Sequence, residues 1–228
     1  MAELLDALAS VKKSSCPGPD DITYTTLSHL GPPGHQAIHI DVGSPESVRT
    51  VFDNIQSHSG EPLSIVVNCA GILPLPTPFV ELDVEEFDRV MKVNLRGTFL
   101  VMQAAAQRMQ RDKVTDGRIV NMSSILARTS QPGEVAYSAS KAAVTALTRT
   151  VAVELASSGI RVTAVAPSMT HTPMVTKAFS ADRMATLATG IPMGRAAQPS
   201  EVAAVVAFLC GAESSFVTGS TFDVSGGL

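Results

Sequence analysis

A chain of 228 residues, 45% hydrophobic and only 17% charged, is too apolar to remain disordered and long enough to bury a large core as one α/β domain. Its formal net charge of -4 supplies no positive surplus to neutralise phosphates, which excludes an electrostatically driven nucleic-acid binder. Cys16, Cys69 and Cys210 are odd in number and lack metal-ligand spacing, so the chain predicts neither a disulfide scaffold nor a metal site and fits a reducing compartment.

In chain order, "MAELLDALASVKK" carries Glu3 and Asp6, lacks the basic start of a leader, and predicts a short amphipathic helix. With no targeting signal evident, the expected compartment is the cytoplasm or the mitochondrial matrix. Residues 14–37 collect Ser, Pro, Gly and Asp and predict an irregular connection, so 1–35 form an N-terminal segment and 36–228 a single domain. Five short β-branched runs follow: "QAIHIDV" (36–42), "LSIVVNCAG" (63–71), "GRIVNMSS" (117–124), "GIRVTAVAPS" (159–168) and "STFDVSGG" (220–227). Cys69, inside the second run, reads as inert filling.

Helical patterns lie between the runs. Ser44 before Pro45 predicts a capped helix to about His58, and Asp83 with Glu86 predicts a capping box for a long helix to about Lys113. Residues 133–158 and 200–210 carry apolar side chains every three or four positions. Alternating strands and helices predict a parallel sheet covered on both faces, and no apolar run approaches the roughly 18 residues that cross a bilayer. In such sheets ligands sit beyond the carboxyl ends of the strands, here at Asp41-Val42, Asn68 to Gly71, Ser123-Ser124 and from Pro167 onward.

"YSASK" (137–141) puts Tyr137 and Lys141 on one helix face. At about 5 Å and an effective dielectric of about 20, the ammonium favours the phenolate by roughly 3 kcal/mol, or about 2 pKa units, which brings a phenol toward neutrality if the site is partly buried. The other reading of the pair is a solvated Tyr and Lys on an open surface. Ser124, at the end of an apolar strand, places a hydroxyl where the next loop can return Tyr137 beside it, and a hydroxyl flanking a tunable phenol can polarise and protonate one carbonyl oxygen. Asn94, inside a helix, can interrupt the backbone ladder and leave a carbonyl free for water, or simply be a buried amide near a bend.

Taken in order, "DV" at 41–42, "NCAG" at 68–71, "VNLRGTF" at 93–99, "NMSS" at 121–124, "YSASK" at 137–141 and "IPMGRAAQPSEVA" at 191–203 resemble the short-chain dehydrogenases/reductases. The resemblance runs from about Gln36 to Gly227 and is nearest to the 3-oxoacyl-carrier-protein reductases and a related group of hydroxysteroid dehydrogenases. It implies a Rossmann-like doubly wound parallel sheet in a single domain, and an NAD(P)-dependent oxidoreductase interconverting a carbonyl and a secondary alcohol, with a 3-oxoacyl thioester or a steroid-like substrate. It further implies that Tyr137 exchanges the proton, Ser124 orients the substrate oxygen, Lys141 binds the nicotinamide ribose, and Asn94 holds a relay water. For NAD or NADP it implies contacts from Asp41 and Val42 to the adenine, from Asn68, Ala70 and Gly71 on the ribose side, and from Thr170 and Thr172 to the carboxamide, alongside Tyr137 and Lys141. Asp41 also reads as a carboxylate at the start of a helix, a role compatible with the first.

Two departures from that pattern stand out. The family opens with a strand and a T-G-x-x-x-G-x-G turn that receives the pyrophosphate, whereas residues 1–35 contain only Gly18, Gly31 and Gly34 and no apolar strand before them. The first βαβ unit is therefore expected to be missing, as in an N-terminally truncated relative. "LSIVVNCAG" would then have an open edge unless "QAIHIDV" or a partner chain covers it. An alternative function follows: a catalytically impaired isoform acting as a non-catalytic subunit. Ser168 also stands where the family has glycine, which puts the turn geometry there in question. Met169, Met174, Met184 and Met193 read either as an adaptable lid over the substrate or as core filling. Arg108, Arg111 and Lys113 read either as a docking site for an acyl carrier protein or as a solvated helix end. The resemblance implies a tetramer paired through the long helices.

Overall fold

The computed structural model describes residues 38–59 and 62–228; the expected N-terminal helix and the connection at 14–37 lie outside the described residues. Strands β1 (Ile65–Asn68), β2 (Gly117–Met122), β3 (Ile160–Pro167) and β4 (Thr221–Val224) form one parallel sheet in the order β1-β2-β3-β4. Register runs from Ile65 opposite Arg118, through Gly117 opposite Ile160, to Ala164 opposite Thr221. Parallel neighbours need long crossovers, and helices supply them.

The helices are α1 (Pro45–Ser59), α2 (Val84–Val90), α3 (Thr98–Arg111), α4 (Val135–Leu155), α5 (Pro173–Ala178), α6 (Ala181–Thr189) and α7 (Pro199–Cys210). Period-two alternation sends Val66, Ile119 and Val162 to one face, where they pack on Val101, Met102, Ala105 and Met109 of α3 and Ala152 of α4. Val120 and Val165 point the other way, onto Val202, Val206 and Leu209 of α7. The sheet is thus covered on both faces, as the alternation predicts. Gly159 reverses the chain between α4 and β3 at φ 72; a Cβ there would sit 2.6 Å from the Thr115 carbonyl oxygen, so only glycine fits.

Several expectations are corrected. Residues 38–42 form no strand: the Asp41 N–H donates to Ser47 Oγ at 2.9 Å, and its carbonyl accepts from Ser44 at 3.1 Å, which uses its backbone groups in a turn. Ile40 and Val42 are buried instead with the first core cluster. Among the described residues β1 pairs with β2 alone. The helix expected over 83–113 is broken by a π-helical stretch, Met91–Gly97, between α2 and α3. Asp83 precedes α2 without a side-chain cap bond, and Glu86 is held by Arg89 at 2.7 Å rather than reaching back. Ser44 does cap α1, accepting from the Ser47 N–H at 3.3 Å.

Further along, Arg108 belongs to neither expected class: it is 6% exposed, paired with Asp112, and donates to the Phe52 carbonyl. Segment 168–198 folds into α5 and α6, neither of which holds a buried residue, so its methionines do not fill the core. Ser168 creates no strain, since Lys113 is the one non-glycine at positive φ among the described residues. Cys69 is exposed just past the end of β1 and is not filling.

Candidate active site

β2 delivers two serines to the end of the sheet. Ser123 donates to the Lys141 carbonyl at 3.1 Å and shares a 2.8 Å bond with Thr145, which ties the strand end to α4. Ser124 is extended and its Oγ accepts from the Leu126 N–H at 3.2 Å; its hydroxyl also acts on the phenol of Tyr137, opposing the rise in its pKa. Lys141, 4% exposed, donates from Nζ to the Met122 carbonyl at 2.8 Å and stands 5.6 Å from the centroid of the Tyr137 ring. The α-helical spacing and the strand end together bring Ser124, Tyr137 and Lys141 to one place.

Asn94 joins them from the π-helical stretch. Fully buried, its Oδ1 accepts from the Ile72 N–H at 2.8 Å, and its Nδ2 donates to the Ile72 carbonyl at 3.0 Å and to Ser140 Oγ at 3.1 Å. The expected interruption of the helical ladder is present, since a π turn is such an interruption. The Asn94 carbonyl, however, accepts from the Thr98 hydroxyl at 2.7 Å, so part of the acceptor capacity expected for water is already used.

The electrostatics correct one expectation. Burial pushes the Tyr137 phenol up to about 12; hydrogen bonding with Ser124 opposes that rise, and the charge of Glu134 adds to it. Burial in turn pushes Lys141 down to about 8, with the Cys69 thiol acting the other way. The phenol therefore does not move toward neutrality: desolvation is the largest influence on it, and Lys141 Nζ spends a donor on Met122.

The residues expected at a dinucleotide are more scattered in their commitments. Gly71 lies against the site: a Cβ there would come within 3.3 Å of Lys141 Nζ and 3.4 Å of Asn94 Oδ1, so the glycine keeps that space open. Ala70 is buried beside it. Asn68 is buried and donates to Asn121 Oδ1 at 2.8 Å, so its amide braces two strands. Asp41 Oδ1 accepts from the Gly43 N–H at 2.9 Å, and Val42 is buried against Gly97. Thr170 donates to the Ser168 carbonyl, and Thr172 caps α5 by accepting from Val175. Gly71, Lys141 and Asn94 are the residues that could hold the nicotinamide end of a dinucleotide, whereas no glycine-rich phosphate motif occurs in 38–59 or in the sequence before it.

Three residues at the site escaped the sequence reading. Asn121 was visible as a polar side chain amid an apolar strand, and it donates to Thr148 at 2.9 Å. Ser140 donates to the Tyr137 carbonyl at 2.7 Å. Glu134, an acid one turn ahead of Tyr137, is 1% exposed, a burial that no local pattern signals.

The chain is similar to known proteins over most of its length. The family described as Enoyl-(Acyl carrier protein) reductase matches residues 24–228. A human protein named (3R)-3-hydroxyacyl-CoA dehydrogenase is 40% identical over 205 residues, covering 88% of this chain and 77% of that one. The 3-oxoacyl-[acyl-carrier-protein] reductase of Thermotoga maritima is 39% identical, covering 83% and 75%. In a crystal structure, 3-ketoacyl-(acyl-carrier-protein) reductase from Brucella melitensis complexed with NADH superposes with a TM-score of 0.78 at 33% identity, over 84% of this chain and 77% of that one. Matched over most of its length by sequence and by backbone, the chain belongs to the short-chain dehydrogenase/reductase family of oxidoreductases.

Proposed function

We propose that the chain interconverts a carbonyl and a secondary alcohol using NAD or NADP, with Tyr137 as the proton donor and a 3-oxoacyl or 3-hydroxyacyl thioester as the favoured substrate class. The observation that carries this is the convergence of Ser124, Tyr137, Lys141 and Asn94 at the carboxyl end of the sheet. The names of the relatives in humans and Thermotoga maritima support the substrate class, and a steroid-like alcohol is the runner-up.

When bound, the nicotinamide supplies or accepts the hydride. Gly71 and Ala70 would admit its ribose side to close backbone approach, Lys141 would hold the ribose, Thr170 and Thr172 would meet the carboxamide, and Asp41 with Val42 would lie toward the adenine. Ser124 orients the substrate oxygen by hydrogen bonding. Tyr137 gives that oxygen its proton in reduction and takes it back in oxidation. Because burial holds the phenol high in this state, Tyr137 stays protonated at neutral pH until the substrate oxygen takes the proton.

A second reading is kept by one observation. With no glycine-rich phosphate turn in the described residues and β1 pairing with β2 alone, the chain can serve as a non-catalytic subunit beside a relative that carries the turn. In either reading we place assembly, as a tetramer, on the outer faces of α3 and α4, and the compartment in a reducing one, cytoplasm or mitochondrial matrix, where Cys69 and Cys210 stay free. Among the described residues no helix is long and apolar enough to cross a membrane. We assign contact with an acyl carrier protein to the exposed end of α3, at Arg111, which also pairs with Asp112 at 3.8 Å, and Lys113; Arg108 is held internally by Asp112 and the Phe52 carbonyl.

Titration of the purified chain with NADH and with NADPH, read by nicotinamide fluorescence, tests the enzyme reading. Saturable binding is expected, with turnover lost in Tyr137→Phe and affinity nearly unchanged. Absence of binding at millimolar cofactor rejects the enzyme reading. A lone monomer by light scattering, with no association on mixing with a relative that carries the glycine-rich turn, rejects the subunit reading.

A further inference from the structure

Ser140 is a hydroxyl the mechanism above does not use, and it lies between Tyr137 and Lys141 on α4. Serine is a mediocre residue for a helix interior, because its side chain competes for backbone groups. Its neighbours Ala136, Ala139, Ala142 and Ala143 show what the helix otherwise prefers there. Ser140 is also fully buried, where a hydroxyl without partners would be costly. It has two, one on each side. Its Oγ donates to the Tyr137 carbonyl at 2.7 Å and accepts from Asn94 Nδ2 at 3.1 Å.

The directions of these bonds are fixed. A hydroxyl has one proton, and Ser140 spends it on the Tyr137 carbonyl, so toward Asn94 it can only accept. Asn94 must therefore present its amide nitrogen, and Ile72 demands the same orientation by donating to Oδ1 and accepting from Nδ2. Both protons of Nδ2 are then used. The line of bonds runs from Ile72 through Asn94 and Ser140 to the turn of α4 that carries Tyr137, and such chains polarise one another. At one end of it, Gly71 lies against Lys141 Nζ. At the other, β2 holds Lys141 twice, since the Met122 carbonyl accepts from Nζ and Ser123 Oγ donates to the Lys141 carbonyl.

We propose that Ser140 is a positioning residue, a buried hydroxyl that fixes the turn carrying Tyr137 and Lys141 against Asn94 and, through Asn94, against the loop at Gly71 and Ile72. The proposal rests on the reading of Tyr137 as the acid. Ser140 acts through Tyr137 and Asn94 rather than on the substrate. Without its hydroxyl, one Nδ2 proton of Asn94 is left unpaired in a buried place, and nothing else bonds that amide to α4. The turn is then free to shift against the loop, and small misplacements of a reacting group cost rate rather than binding.

Reduction of acetoacetyl-CoA by the purified chain, with whichever of NADH and NADPH binds, tests this. Ser140→Ala should lower kcat about tenfold with KM nearly unchanged. Ser140→Thr should recover the rate, since a threonine hydroxyl can make the same bond back to the preceding turn. A folded Ser140→Ala protein whose kcat equals that of the wild type overturns the proposal. A wild type without turnover sinks the reading of Tyr137 as the acid, and a spectroscopic signature then decides the positioning separately. The chain has two tyrosines, Tyr24 and Tyr137, so a Tyr24→Phe protein labelled with 13C at tyrosine Cζ reports Tyr137 alone. Its resonance should move on adding Ser140→Ala and return with Ser140→Thr; a resonance that stays in place is fatal. Should Ser140→Ala not fold, hydrogen exchange in the wild type serves instead. Both Nδ2 protons of Asn94 should exchange more slowly than those of an exposed asparagine, and exchange of either at the free-amide rate rejects the bond to Ser140.

Discussion

The side chain of Asn94 grips Ile72 by both backbone groups, accepting from its N–H at 2.8 Å and donating to its carbonyl at 3.0 Å. The arrangement mimics one rung of a β-ladder, and it fixes the loop after β1 against the π-helical stretch. A third bond, to Ser140 Oγ at 3.1 Å, links that stretch to α4 beside Tyr137.

Replacing Asn94 with Ala should leave both Ile72 groups without their partner in a buried setting, at a cost of about 2–4 kcal/mol. Urea unfolding measures it. A loss under about 1 kcal/mol would mean that water replaces the amide and that the loop does not depend on it.

A second amide pair ties the centre of the sheet. Asn68 donates to Asn121 Oδ1 at 2.8 Å, and Asn121 donates to Thr148 Oγ1 at 2.9 Å. Asn121→Leu strips the Asn68 amide of its acceptor and should destabilise by about 2–3 kcal/mol, while Asn68→Leu combined with Asn121→Leu should cost less than the sum of the two single changes. Additive single and double values in thermal melts would show that the pair does not act as a unit.

Gly97 closes the π-helical stretch with almost no room beside it, since a Cβ would fall 2.7 Å from Val42 Cγ2. Gly97→Ala is expected to cost about 1–3 kcal/mol through overpacking. Val42→Ala in the same chain should recover part of that loss, because it removes the atom that clashes. If the double variant is no more stable than Gly97→Ala in chemical denaturation, the clash is not the cause.

Glu134 also sets a pH dependence of folding. Its carboxyl, ordinarily near 4.5, is pushed up to about 7 by burial, so the folded chain holds a proton there that the unfolded chain has released. Stability from this group is complete below about pH 4.5 and is lost as pH rises through about 7. The difference in unfolding free energy between the wild type and Glu134→Gln, measured from pH 4 to pH 8, should therefore move against the wild type with rising pH. A constant difference would mean that the carboxyl titrates normally.

Much of this was readable before any coordinates. The strand runs at 63–71, 117–124, 159–168 and 220–227 each contain a strand of the sheet, because β-branched residues bounded by Gly, Asn, Ser or Pro favour extended backbone wherever they fall. Residues 38–42 carry the same pattern yet form no strand, since Ser44 and Ser47 bond the Asp41 backbone locally while Ile40 and Val42 find burial without pairing. Pattern signals which side chains want burial; it does not say which ladder, if any, receives them.

What the sequence determined by itself is the alternation of strand and helix and the spacing that sets Tyr137 and Lys141 on one face, both properties of a few consecutive residues. What only the tertiary structure decided is the chemical state of that pair. The phenol rises to about 12 and the ammonium falls to about 8, because burial removes the water that stabilises each charged form. That burial, like the carbonyl of Met122 that takes the Lys141 proton donor, comes from chain segments far away in sequence.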